Sequence, residues 1–121
     1  MTILCGDCRE ILKKLDDTSV DLVYIDPPFF TQKTPSLTTQ DHTTEYSFED
    51  RWDSLDDYLS FMREVLCQCK RVLKTTGSIF LHCDKSASHH LRILLDQVFG
   101  AENFQSEIIW TYRRWSRCST L

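Results

Sequence analysis

The sequence predicts an α/β layer fold with a mostly parallel sheet, because strand-like and helix-like segments alternate along it. Two further observations support that class. The run Val20-Asp21-Leu22-Val23-Tyr24-Ile25 is nearly all apolar, which suits a strand covered on both faces, as in parallel sheets. Between such runs lie stretches whose apolar residues recur at three- and four-residue steps, the spacing of helices that pack by one face.

In chain order, Thr2-Ile3-Leu4-Cys5 is short, apolar and β-prone, and Gly6-Asp7 ends it. Ile11, Leu12 and Leu15 follow helical spacing, and Asp16 and Asp17 close that segment. The strand at Val20–Ile25 stops at two prolines, which cannot continue a central strand. Residues 30–53 are polar, rich in Thr and without sustained periodicity; a loop of that length is usually functional or disordered. Ser54-Leu55-Asp56-Asp57 has the form of a capping box. From it runs a long amphipathic helix carrying Leu55, Tyr58, Leu59, Met62, Val65, Leu66, Cys69, Val72 and Leu73, with Gly77 as its stop signal. Ser78 to Asp84 predicts a second buried strand. Leu91, Leu94, Leu95, Val98 and Phe99 mark one face of a further helix, with Gly100 after it. Glu107 to Tyr112 is a last strand-like run.

A chain of 121 residues is one domain or part of one. Its 41% apolar and 26% charged content is an ordinary globular balance and excludes a disordered chain. No apolar run approaches the ~20 residues that span a bilayer, and the N-terminus lacks a signal-peptide pattern. A cytoplasmic protein with no membrane partner is expected. The net charge of −4 is unusual for a nucleic-acid binder. Arg113, Arg114 and Arg117 form a local basic cluster, as do Lys70, Arg71 and Lys74, but most such clusters are simply solvated. Charge does not identify the partner.

Of the six cysteines, Cys5 and Cys83 fall in runs that read as buried strands, and Cys67 and Cys69 in a helix. They read as reduced, small core residues rather than as a disulfide framework. Cys5-x-x-Cys8 has zinc-like spacing, with Cys67, Cys69, His82, Cys83, His89 and His90 as further donors. However, neighbours on a strand point to opposite faces, and no second Cys-x-x-Cys exists. No metal site is expected.

Ligands of open parallel sheets bind outside the carboxyl ends of the strands. Asp7, Asp26 and Asp84 each follow a predicted strand, so three parallel strands would line one sheet edge with carboxylates. Asp also favours turns after strands, and one alone would say little. The most informative stretch is Asp26-Pro27-Pro28-Phe29. Two prolines fix two φ angles and remove two N–H donors, leaving a carboxylate and backbone carbonyls, all acceptors. Such a surface suits a substrate that donates two hydrogens, such as an exocyclic amine. Phe29 adds an apolar face on which a base can stack; on the blander reading the strand simply turns here and Phe29 packs.

Val20 to Phe29 resembles the catalytic motif of the N6-adenine/N4-cytosine DNA amino-methyltransferases. Further blocks resemble that family: Leu4-Cys5-Gly6-Asp7, Arg71-Val72-Leu73-Lys74 with Thr76-Gly77-Ser78, His82-Cys83-Asp84, Ser86 to Leu91, and Phe99-Gly100 through Glu107 to Trp110. The likeness runs to about Arg114. It implies a Rossmann-like methyltransferase fold and S-adenosylmethionine as methyl donor. It also implies DNA as the partner, its target base flipped out of the duplex. Asp26, Pro27, Pro28 and Phe29 would then form the catalytic set. The Asp26 carboxylate and Pro27 carbonyl would accept the two amino hydrogens, freeing the nitrogen lone pair to attack the sulfonium methyl. Asp7 resembles a residue near the cofactor's adenine end. Asp84 and His82 resemble a block lining the same cleft, and Asp26 also borders the cofactor. Asp in place of Ser at position 26 favours adenine-N6 over cytosine-N4. Protein or RNA amines are the wider alternatives, since the pocket chemistry reads an amine rather than a polymer.

That family cradles the cofactor on a Gly-rich turn, where backbone approaches the ligand closely. Gly6, Gly77 and Gly100 are too far apart in sequence to build one. The order of motifs resembles members in which the catalytic block comes first, followed by cofactor-binding and target-recognition segments. The expectation is a partial, incomplete catalytic domain over residues 1–121, with an atypical tail at 115–121. Its partner would be a complementary methylase fragment carrying the Gly-rich loop and target-recognition region. An isolated half would expose a sheet edge. A non-catalytic remnant or one half of a split enzyme is the competing expectation.

Overall fold

The computed structural model describes residues 1–32, 36–38, 45–47 and 52–113. Two helices, α2 (Leu55–Val72) and α3 (Ser88–Phe99), lie on one face of a parallel pair of strands, β1 (Val20–Ile25) and β4 (Leu73–Leu81). A short helix, α1 (Cys8–Leu12), precedes β1, and a 3-10 turn, Ala101–Asn103, follows α3. The long polar stretch contributes two strands, β2 (Ser36–Thr38) and β3 (Glu45–Ser47), paired antiparallel. That pair revises the expectation of a stretch without structure. The remainder of 33–51, the cluster residues Arg114 and Arg117, and the tail at 115–121 lie outside the described residues.

The helix α2 starts where the capping box predicts. Ser54 Oγ accepts from the Asp57 backbone N–H at 3.1 Å and donates to the Asp57 carboxylate at 2.7 Å. Its inward face is Tyr58, Met62, Val65, Leu66, Cys69 and Val72, all buried. From α3, Leu91, Leu94 and Val98 meet that stripe, with Ala87 beneath them. Burying such a side chain contributes about 1.5–3 kcal/mol, so this helix–helix seam is the main source of stability. Ile25, Ile79 and Leu81 of the strands pack against it half-buried.

The helix ends at Val72, earlier than Gly77, because Leu73 already pairs with Val20 of β1. The register then breaks: Val20 faces Leu73, but Leu22 faces Ser78. Residues 74–77 therefore form a bulge. Gly77 serves that bulge rather than ending the helix. A Cβ there would meet the Asp21 carbonyl oxygen at 3.0 Å and Leu73 Cδ1 at 2.7 Å. Beyond the bulge the ladder is regular, and Ile25 faces Leu81.

Arg71 ties α1 to this frame. Its guanidinium donates to the carbonyls of Leu12 at 2.7 Å and Leu15 at 2.9 Å and pairs with Asp17. The other members of that basic stretch are likewise engaged: Lys70 donates to the Val98 carbonyl, and Lys74 pairs with Asp21. These three cations are structural.

Two expected strands are not formed. Among the described residues, 2–5 and 107–112 have no ladder partner, and a strand exists only where its N–H and C=O groups find one. Ile3, Leu4, Ile108, Ile109, Trp110 and Tyr112 are accordingly exposed. Cys5, expected in a buried strand, is exposed with Cys8 and Cys67, whereas Cys69 is buried and Cys83 half-buried. Nor is β1 covered on both faces. Leu22, Tyr24 and Phe80 stay exposed among the described residues, so the sheet presents one packed face and one open face.

Candidate active site

The strands β1 and β4 end level with one another, at Ile25 and Leu81. The next residues are Asp26 and His82. The His82 backbone N–H donates to the Ile25 carbonyl at 2.9 Å, which extends the ladder by one step and brings the two side chains side by side. His82 Nδ1 then lies 2.9 Å from Asp26 Oδ1. A carboxylate can only accept, so the shared hydrogen sits on His82 Nδ1. Both side chains are about half exposed, 51% for His82 and 59% for Asp26.

Pro27, Pro28 and Phe29 continue from Asp26 along this edge. The Phe29 ring and the His82 imidazole meet in a T-shaped contact, with centroids 5.5 Å apart and planes at 81°. The following Phe30 turns inward and packs on Tyr58. Adjacent aromatics thus divide between site and core. Farther back, Gln32 closes the segment by donating to the Trp52 carbonyl and accepting from its N–H.

Asp84 lies on the same edge, beyond β4. Its carboxylate accepts from the Ser86 N–H at 3.2 Å and the Ser86 hydroxyl at 2.6 Å, a turn that feeds the chain into α3. Burial pushes the neighbouring Cys83 thiol up, helped by the negative charges of Asp84 and Glu107.

Asp7 occupies a different setting from the one expected. No strand precedes it; it caps α1, accepting from the Arg9 backbone N–H at 2.9 Å and from the Arg9 guanidinium at 2.7 Å. Those Arg9 hydrogen bonds hold its carboxyl at about 2. The structure therefore brings Asp26, Phe29 and His82 into contact and places Asp84 on the same edge. Among the described residues Asp7 makes no hydrogen bond to that group. The pairing of His82 with Asp26 was not legible in the sequence: both follow apolar runs, but nothing there sets the register that aligns them.

The polar groups match the chemistry of S-adenosylmethionine, which offers hydroxyl and amino donors and a sulfonium cation to ionised carboxylates. On the edge, Asp26 keeps one oxygen beyond its bond to His82, whereas the Asp84 carboxylate is engaged by Ser86 and that of Asp7, ionised at neutral pH, by Arg9. No Gly-rich cradle is built by this chain's glycines, which stand apart before α1, within β4 and after α3. Among the described residues no group of three or more His, Cys, Asp or Glu is placed to hold a metal ion. No helix among them is long and apolar enough to cross a membrane.

The fold is a small α/β domain whose parallel strand pair ends in an acidic, proline-stiffened turn beside an aromatic ring. The match to known proteins makes the class specific: the DNA methylase model of the N6/N4 type covers residues 20–119, and the chain belongs to that family. It is similar to the Type II methyltransferase M.HinfI of Haemophilus influenzae, 41% identical over 83 residues, which is 66% of this chain and 23% of that protein. It is also similar to the StyLTI Mod subunit, a Type III restriction-modification enzyme of Salmonella typhimurium (strain LT2). There the identity is 29% over 133 aligned positions, 92% of this chain and 20% of the relative. The chain thus spans about a fifth to a quarter of the length of these relatives.

Proposed function

We propose that this chain carries the amino-group site of an adenine-N6 DNA methyltransferase. The observation that supports it most is the exposed Asp26 carboxylate, followed at once by two prolines at the level ends of β1 and β4. Those residues offer only acceptors to an incoming amine. Asp26 takes one amino hydrogen and the Pro27 carbonyl the other, which withdraws the nitrogen lone pair from conjugation with the base. Phe29 supplies the flat surface for a base flipped out of DNA. When bound, S-adenosylmethionine would supply an electrophilic methyl group. Asp84 and Asp7 would hold its polar ends, and His82 would border it. The chain's contribution is positioning and charge complementarity. Asp rather than Ser at position 26 favours adenine-N6 over cytosine-N4.

The scattered glycines and the open sheet face support a second element of the proposal. Cofactor affinity and target choice come from a complementary methylase segment carrying the Gly-rich turn and the target-recognition region. That segment covers Leu22, Tyr24 and Phe80. The resulting enzyme works in the cytoplasm as the modification arm of a restriction-modification system.

The experiment is methyl incorporation into DNA by the full chain, alone and co-expressed with such a segment. Transfer is expected in the combination, and Asp26→Ala should abolish it. Wild-type transfer by Asp26→Ala would remove Asp26 from the site. Methylated cytosine in the product would replace the adenine assignment.

A further inference from the structure

We propose that His82 is a positioning residue for the amine site, a role distinct from bordering a cofactor and one that rests on the reading of Asp26 above. Three contacts converge on its ring and backbone. The backbone N–H is fixed by the Ile25 carbonyl at 2.9 Å, Nδ1 by Asp26 Oδ1 at 2.9 Å, and the imidazole packs against the roughly perpendicular ring of Phe29. One side chain therefore touches both the carboxylate that receives the amino hydrogen and the ring that stacks the base.

The chemical consequence follows from counting acceptors. A free carboxylate turns about its terminal torsion, which is broad and roughly two-fold, and offers either oxygen. With Oδ1 held by the Nδ1–H of His82, the rotation is stopped and Oδ2 is left for the substrate. The Pro27 carbonyl carbon, four bonds beyond the Asp26 α-carbon on a chain whose φ is locked by proline, then stands in restricted relation to Oδ2. The amine meets two acceptors of set spacing rather than a rotating pair. His82 also fixes its own tautomer: with hydrogen on Nδ1, the neutral ring leaves Nε2 as an acceptor. Among the described residues Nε2 has no hydrogen-bond partner.

Removing such a support should chiefly lower turnover, since misplacing a reacting group by about 1 Å can cost ~10²-fold in rate. Asn can return a donor close to the position of Nδ1, but Leu cannot.

Two measurements test the proposal. The first is independent of activity: nitrogen-15 NMR of the histidine-labelled full chain at one fixed pH. His82 is expected in the Nδ1–H form in the wild type and in the ordinary Nε2–H form in Asp26→Ala. An identical His82 signal in both proteins overturns the pairing. The second is methyl transfer in the co-expressed system. His82→Leu should lower kcat about 10²-fold with KM for DNA little changed, and His82→Asn should restore most of it. Full turnover by His82→Leu, or His82→Asn as slow as His82→Leu, overturns the positioning role. If no protein, wild type included, transfers methyl to DNA, the DNA-methylation reading is what has failed. The NMR comparison then decides alone: an Asp26-dependent tautomer upholds the support of Asp26 by His82, and an unchanged one removes it.

Discussion

On one side of the β1–β4 pair, Ile25, Ile79 and Leu81 lie against a helical layer whose central residues Tyr58, Met62 and Leu66 are 0% exposed. On the other, Leu22, Tyr24 and Phe80 keep 58%, 65% and 45% of their surface exposed. The two faces are made of similar residues and differ in what covers them. Folding free energy is concentrated on the first. The second is an apolar patch of the kind that marks an interaction surface in a soluble protein. The candidate site belongs to the open side. Asp26 follows Tyr24 at a two-residue step and His82 follows Phe80 likewise, which is the same side of a strand. Whatever closes over Tyr24 and Phe80 therefore also borders the candidate site.

The sharpest way to break this comparison is to truncate one residue on each face. Leu66→Ala should cost about 2–5 kcal/mol, whereas Tyr24→Ser should stay within about 0.5 kcal/mol, both read from urea unfolding of the full chain. Equal costs would mean that the outer face is already packed in solution. Next in size is Arg71, which joins α1 to the covered layer. Arg71→Met should cost about 1–3 kcal/mol, because carbonyls and a carboxylate lose a charged donor. Hydrogen exchange should rise in residues 8–19 while the α2–α3 seam keeps its protection.

Thiol chemistry offers a smaller, kinetic version of the contrast. Burial pushes Cys69 up to about 11, and the thiolate is the reactive species. Cys69 should therefore resist alkylation until the chain unfolds, while Cys5 and Cys67 react at once; mass spectrometry after a timed iodoacetamide pulse reads this directly. Rapid modification of Cys69 in the native chain would contradict a closed covered face. The smallest effect is at Asp7. Its folded-state carboxyl lies at about 2, below the ordinary 3.8. Its contribution is therefore complete above 3.8 and lost as pH falls from there towards about 2. Asp7→Asn should flatten the acid limb of the stability profile only in that window.

Much of this architecture was legible in the residues because local rules determined it. The Ser54 cap, the stripe from Tyr58 to Val72 and the face from Leu91 to Phe99 follow from helical spacing and end chemistry, and all are present. A parallel sheet followed from the alternation of strand-like and helix-like segments, and Val20–Ile25 does pair parallel with the later apolar run. What failed depended on partners distant in sequence. Thr2-Ile3-Leu4-Cys5 and Glu107 to Tyr112 have strand-like composition, but no neighbouring ladder exists for them among the described residues. Gly77 looked like a helix stop, yet the demand came from the Asp21 carbonyl across the strand pair. At the site, Asp26 and Phe29 could be picked out by chemistry, and Asp84 by its position after an apolar run. The His82–Asp26 bond could not, because it depends on the bulge at 74–77 that sets the register. Asp7 was read as a strand end, but its carboxylate accepts from the Arg9 backbone N–H and caps α1.

The uncovered segment near the C-terminus gives the molecule a built-in optical gauge. Trp110 is 86% exposed, whereas Trp52 packs against the rings of Tyr58 and Phe61. Indole light emission shifts to shorter wavelength when water leaves the ring. Titrating any binding protein against the unlabelled chain should thus report whether the 107–112 stretch becomes enclosed. A Trp110→Phe control would separate that signal from the rest of the spectrum.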